Sequence, residues 1–165
     1  MKKVIILLVC VALFVAAGAA MIVVPLTLKY AVTQYTRELR EHVAIYSEGG
    51  TVTAEYDGTV TSLTGGNVSY LSAALSRSTM KRVFRVPDYD EGEAARIEFS
   101  DGAVYLVFDA TPEGASDDIA YIIYTNDGKT KSFRVEGMGT MERVVQCISA
   151  EGFSGENKII SSKKG

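Results

Sequence analysis

The chain has 165 residues, 17 of them basic and 20 acidic, with a formal net charge of −3 and two cysteines. Lys2 and Lys3 precede an uncharged run, so from Lys29 onward 15 basic residues face 20 acidic ones, a net −5. That balance argues against nucleic acid as a partner, which calls for a basic face to release counterions from phosphates; the length beyond the run suits one domain.

Residues 4 to 28 carry no charge, and Val4 to Val24 consists only of Val, Ile, Leu, Ala, Phe, Met, Cys and Gly. At about 1.5 Å rise per residue this predicts a helix spanning the ~30 Å hydrocarbon core of a bilayer. Lys2-Lys3 and Ala17-Gly18-Ala19 also fit the start and cut site of a secretory signal, but the run stays apolar through Ala20-Met21-Ile22-Val23-Val24. An uncleaved anchor over residues 1–28 is therefore preferred. Cys10 lies within the run and lacks the small residue before it that lipidation requires, while Cys147 lies in the domain, so neither a lipid anchor nor a disulfide is expected. The scarcity of cysteine points to a bacterium, of Gram-positive type. The short basic head favours a cytoplasmic amino terminus with the domain outside, although Lys29, Arg37 and Arg40 argue for the inverse.

Over residues 29–47, reading on from Leu28, apolar positions Leu28, Val32, Tyr35, Leu39, Val43 and Tyr46 follow a helical period, with Arg37, Glu38, Arg40 and Glu41 on other faces. A juxtamembrane helix is predicted, kinked at Pro25, with its stripe packed on the domain's own sheet in preference to self-association. The domain itself is placed at residues 48–151. Val52, Ala54 and Tyr56 alternate up to Asp57-Gly58 and a return strand from Thr59 to Leu63, a hairpin with a type I′ turn. Asn67 is expected to cap a helix with Val68, Leu71, Ala74 and Leu75 on one face, a reading preferred to use of Asn67-Val68-Ser69 as a glycosylation sequon. Ala95–Phe99 with Ala103–Asp109, and Ile119–Thr125 with Lys131–Val135, form two more hairpins around Ser100-Asp101-Gly102 and Asn126-Asp127-Gly128. A last helix begins at Thr140, with Met141, Val144, Val145 and Ile148 turned inward. Residues 152–165 read as a loose tail, with Lys158-Ile159-Ile160 as a short edge strand.

The fold class expected is α+β, a transmembrane helix followed by a small antiparallel sheet with two or three helices packed on it. The order of elements and turns over about residues 50–136 resembles small membrane-anchored or exported domains of uncharacterised function in Gram-positive bacteria. That resemblance implies a location and carries no functional residue.

Chemistry is sparse. The one histidine, His42, sits among charges and is expected to be solvated; no G-x-S-x-G, H-E-x-x-H or paired-cysteine motif occurs. The acidic stretch Asp88, Asp90, Glu91 and Glu93 does not match a calcium loop, because Gly92 is fifth and the twelfth residue is Phe99. Gly137-x-Gly139 lacks the third glycine of a dinucleotide fingerprint and reads as a tight turn. Arg77, Lys81, Arg82 and Arg85 form a basic cluster expected at a helix end, paired with the acidic loop; its other reading is a patch for anionic lipid headgroups or wall polymers. No catalytic, cofactor or metal site is assigned. The function expected is a non-enzymatic, single-pass, extracytoplasmic interaction module for a protein or cell-envelope partner. The alternatives are an accessory subunit of a membrane or pilin-like assembly, and a small-molecule sensor or unusual enzyme.

Overall fold

In the computed structural model, which describes residues 2–137 and 139–149, the apolar run and the amphipathic stripe form one helix, α1 (Lys2–Ser47). Pro25 lies inside it and removes one backbone donor, and the Thr27 hydroxyl donates to the Val24 carbonyl at 2.8 Å. The helix is long and apolar enough to cross a membrane, and none of its most apolar stretch is covered by the rest of the chain.

Then follow β1 (Val52–Tyr56), β2 (Thr59–Ser62), α2 (Gly65–Leu75), β3 (Lys81–Val83), a 3₁₀ turn at Glu91–Glu93, β4 (Ala95–Phe99), β5 (Val104–Asp109), β6 (Ile119–Asn126), β7 (Lys129–Glu136) and α3 (Thr140–Ile148). The strands make one antiparallel sheet of seven in the order β2-β1-β4-β5-β6-β7-β3. The fold is therefore α+β with three helices. Turn chemistry sets the hairpins. Asp57 and Gly58 both have positive φ (49° and 68°), as do Asp127 and Gly128 (48° and 70°), the backbone of a type I′ turn whose twist matches the flanking strands. In the β4–β5 loop only Gly102 does (87°), and its amide bonds the Phe99 carbonyl.

Register places Ile97 opposite Tyr105, Tyr105 opposite Tyr124, and Ile122 opposite Phe133, so the buried side chains of β4 to β7, Phe108 apart, share one face. The three helices pack on that face, and Tyr35 and Leu39 of α1 are fully buried in it, with Val32, Val43 and Tyr46 partly so. The stripe from Val32 to Tyr46 is thus taken up by the domain's own sheet, whereas Leu28 is only half-buried. The opposite face carries no helix; there Tyr89 stacks on Phe108 at 4.2 Å between ring centroids, and Leu106, Tyr121 and Ile123 remain partly exposed.

Four expectations are corrected. His42 is buried, 6% exposed, because it lies three residues after Leu39 and seven after Tyr35 and so falls on the stripe. Asn67 does not cap α2, which starts at Gly65 after Thr64, because the preceding glycines adopt helical backbone. Lys81 and Arg82 are on a strand and not at a helix end, since α2 stops at Leu75 with no basic residue in its last turn. On α3 the buried positions are Thr140, Val144, Cys147 and Ile148, with Val145 only half-buried. Cys10 is exposed and Cys147 buried, both as free thiols. The edge strand expected at 158–160 lies outside the described residues.

Candidate functional site

Two clusters collect the polar chemistry of the described residues, and α1 contributes to both. The first is where α1 crosses β5, β6 and β7. Tyr35 packs against Tyr105, Tyr124 and Phe133 with centroids at 6.0, 5.5 and 4.5 Å, and its hydroxyl donates to the Leu75 carbonyl at the end of α2 at 3.1 Å. One turn on, Lys131 of β7 reaches both carboxylate oxygens of Glu38 at 3.0 Å, and Gln34 donates to the same carboxylate. Two turns on from Tyr35, His42 is held between the Asp101 carboxylate and the Tyr124 hydroxyl. A carboxylate only accepts, so Nδ1 donates to Asp101; Nε2 lies 3.0 Å from the Tyr124 oxygen.

An Asp–His–hydroxyl line has the order of a nucleophile, its base and the group that orients the base. Its electrostatics oppose that use. Burial, above all, holds the Tyr124 phenol well above its ordinary value, and does the same for Tyr105 and Tyr35. Tyr124 is 1% exposed, so its hydroxyl is neutral and enclosed at physiological pH. What the line does is tie the helix to the sheet at the β4–β5 turn. Cys147 is no better placed for chemistry, since burial pushes its thiol up to about 11.

The second cluster is a groove of about 610 Å³ between α1, β3 and β7. Its apolar wall is Pro25, Leu28 and Val32 of α1, the stretch where the uncharged run ends. Its polar wall carries Lys29, Lys81, Arg82 and Arg134, with Glu136 as the one carboxylate among the described lining residues. Glu136 is shared, at 3.1 Å from Lys81 Nζ and 3.2 Å from Arg134 Nη2, and the hydrogen bond and charge of Lys81 hold its carboxyl below the usual range. Arg82 lies over the Phe133 ring at 5.4 Å and the Phe84 ring at 5.9 Å. Arg82 Nη1 and Arg134 Nε are buried and make no hydrogen bond. Phe84, directly after β3, is 83% exposed.

The structure therefore divides the basic cluster read from the sequence. Lys81 and Arg82 line the groove, whereas Arg77 sits beside Arg143 of α3, where burial and that charge lower its guanidinium, and Arg85 is exposed beyond β3. The pairing with the acidic loop is replaced by pairing with Glu136, because β3 adds to the edge of β7. In the sequence Lys29 was read only as a charge flanking the apolar run and Arg134 was not singled out; their spacing from the cluster, about 50 residues on either side, leaves no local signal. In the acidic loop Asp90 accepts from the Gly92 amide at 2.8 Å, closing a 3₁₀ turn, and no group of three His, Cys, Asp or Glu among the described residues is placed to hold a metal ion. Gly137 and Gly139 have φ of 70° and 58°, a tight turn into α3 whose first amide is capped by Asp118 at 3.3 Å. Comparison of the chain with protein-family models, curated proteins and solved structures finds no match.

Proposed function

We propose that the chain is a membrane-tethered, extracytoplasmic binding module of a Gram-positive-type bacterium, non-enzymatic, that holds a protein or another envelope component near the membrane surface. The observation that carries this reading is that α1 serves both as the helix long enough to span a bilayer and as a wall of the core. The domain is thereby fixed to its anchor and not hung from a linker. It presents two sheet edges, and each has an exposed hydrophobic: Val60 on β2, 67% exposed, and Phe84 beside β3. An open edge offers unpaired backbone groups for strand addition, with a side chain such as Val60 for contact.

The accessory-subunit reading loses support because the stripe it requires is packed on the sheet. The sensor or enzyme reading retains one feature, a cleft of about 340 Å³ on the open face, lined in part by Tyr56, Asp57, Glu91 and Arg96. To test the leading reading, a photo-crosslinking residue is placed at Val60 in the full chain in its native membrane. Asp57→Cys is labelled in intact cells with a membrane-impermeant maleimide. The expected outcome is a discrete adduct from position 60, absent when the residue is placed at exposed Glu113 in the loop between β5 and β6, with labelling before lysis. Labelling only after lysis would put the domain on the cytoplasmic side, and loss of any specific adduct would remove strand addition at this edge.

A further inference from the structure

The second cluster lies where the membrane surface must be if α1 crosses the bilayer, and the inference rests on that reading. From Val4 to Val24 the helix rises about 31 Å, which matches the ~30 Å hydrocarbon core. Pro25 to Thr33, the α1 wall of the groove, then rises a further ~12 Å, across the headgroup layer of roughly 5–8 Å. Lys29 and the exposed Tyr30 are residue types that settle at this level. The tertiary fold packs β3 against α1, so that the cationic wall borders the same layer as Leu28, and exposed Phe84 lies beside Arg82, 5.9 Å from ring centroid to guanidinium.

The groove has an apolar lower wall and a cationic upper one, with four cations against one carboxylate among its described lining residues. Glu136 is already divided between Lys81 and Arg134, and the remaining donors at Arg82 Nη1 and Arg134 Nε are buried without an acceptor. Those two atoms are enclosed, so what the groove offers an anion with several oxygens is the ammonium of Lys29 and the other guanidinium donors of Arg82 and Arg134. A protein side chain could supply one carboxylate. An anionic phospholipid supplies a phosphate at this depth and an acyl chain for Pro25, Leu28 and Val32.

We infer that the groove between Pro25–Thr33, β3 and β7 binds the phosphate of an anionic phospholipid in the leaflet next to the domain, through Lys29, Arg82 and Arg134, with Phe84 inserted beside it. The site sets the domain down on its own membrane and orients the β2 edge away from it.

The test uses the full chain in vesicles of phosphatidylcholine or of an equimolar mixture with phosphatidylglycerol. The sequence has no Trp, so Phe84→Trp is the sole indole. Energy transfer from it to dansyl-phosphatidylglycerol, against dansyl-phosphatidylcholine, reads the lipid beside the groove. The expected result is preferential transfer to the anionic lipid and quenching by brominated acyl chains. In Arg82→Gln/Arg134→Gln the preference falls by roughly 30-fold, from about 1 kcal/mol per cation at an anionic surface. Arg82→Lys/Arg134→Lys retains most of it, and unchanged near-ultraviolet circular dichroism establishes that each variant is folded. Equal transfer to both lipids, or a preference untouched by the double Gln variant, overturns the proposal. So does displacement of the lipid by soluble polyglycerol phosphate, which would make a wall polymer the occupant, or by glycerol phosphate, which would make this a free-anion site. A chain that fails to enter vesicles of either composition instead overturns the membrane tether itself.

Discussion

Replacing Tyr35 tests whether the long amino-terminal helix is part of the folded core. Tyr35 is fully buried, packs on three rings, and donates its hydroxyl to the Leu75 carbonyl at 3.1 Å. Tyr35→Phe keeps the ring and removes the donor, leaving a buried carbonyl at the end of α2 without its side-chain partner, at a cost of about 1–3 kcal/mol. Tyr35→Ala also removes the ring and opens a cavity among Tyr105, Tyr124 and Phe133, for which about 3–5 kcal/mol is expected in addition to the lost hydrogen bond. Against a total stability of about 5–15 kcal/mol, the first variant remains folded and the second approaches the limit. The assay is urea denaturation of the full chain in detergent, followed by near-ultraviolet circular dichroism of the tyrosines, because far-ultraviolet signals would include the apolar part of α1 that the domain does not cover. The reasoning is refuted if Tyr35→Phe has the midpoint of the parent chain, or if Tyr35→Ala costs no more than Tyr35→Phe.

The same cluster predicts alkaline behaviour. Tyr35, Tyr105 and Tyr124 are all raised in the folded state above the ordinary value of 10.0, chiefly by burial, so the fold retains protons that the unfolded chain gives up. Their contribution is complete below pH ~10 and is lost as pH rises above it, by up to about 1.4 kcal/mol per pH unit per group. Absorbance titration of phenolate should therefore show these tyrosines ionising only as the domain unfolds; reversible ionisation of all nine in the folded chain would contradict this. His42→Leu keeps an apolar side chain on the stripe but leaves the Tyr124 hydroxyl and the Asp101 carboxylate without their shared partner, an expected loss of about 1–3 kcal/mol in urea midpoint. A neutral or stabilised variant would mean that the line carries no tie between helix and sheet. Asp118→Ala removes the cap on the first amide of α3 and is expected to cost about 1 kcal/mol, read as faster hydrogen exchange at Thr140 and Met141. Unchanged exchange there would assign the order of α3 to packing alone.

Local chemistry was legible where it is self-contained. Asp57-Gly58 and Asn126-Asp127-Gly128 specify turns from two or three residues, and the strands they join alternate with period two, so the hairpins and their inward face could be read directly. His42 was misread because its immediate neighbours Arg40 and Glu41 are charged, while the atoms that satisfy it come from Asp101 and Tyr124, 59 and 82 residues away. β3 was missed for a related reason: three residues, Lys81–Val83, have no period to detect and become a strand only by adding to the edge of β7.

By itself, the sequence determined an uncharged stretch long enough to span a bilayer, an amphipathic continuation of it, and hairpins ordered into an antiparallel sheet. These depend on composition, periodicity and turn residues, all set within a few positions. Only the tertiary structure decided that the stripe from Val32 to Tyr46 is spent on the sheet, which makes the long apolar helix and the domain one unit, and that a cationic groove stands beside the point where the uncharged run ends. Its cations Lys29, Lys81, Arg82 and Arg134 are spread over more than 100 residues of chain and converge because β3 crosses to the far edge of the sheet and packs beside α1. Long-range pairing of that kind is set by the burial of whole surfaces, and no short window of residues contains it.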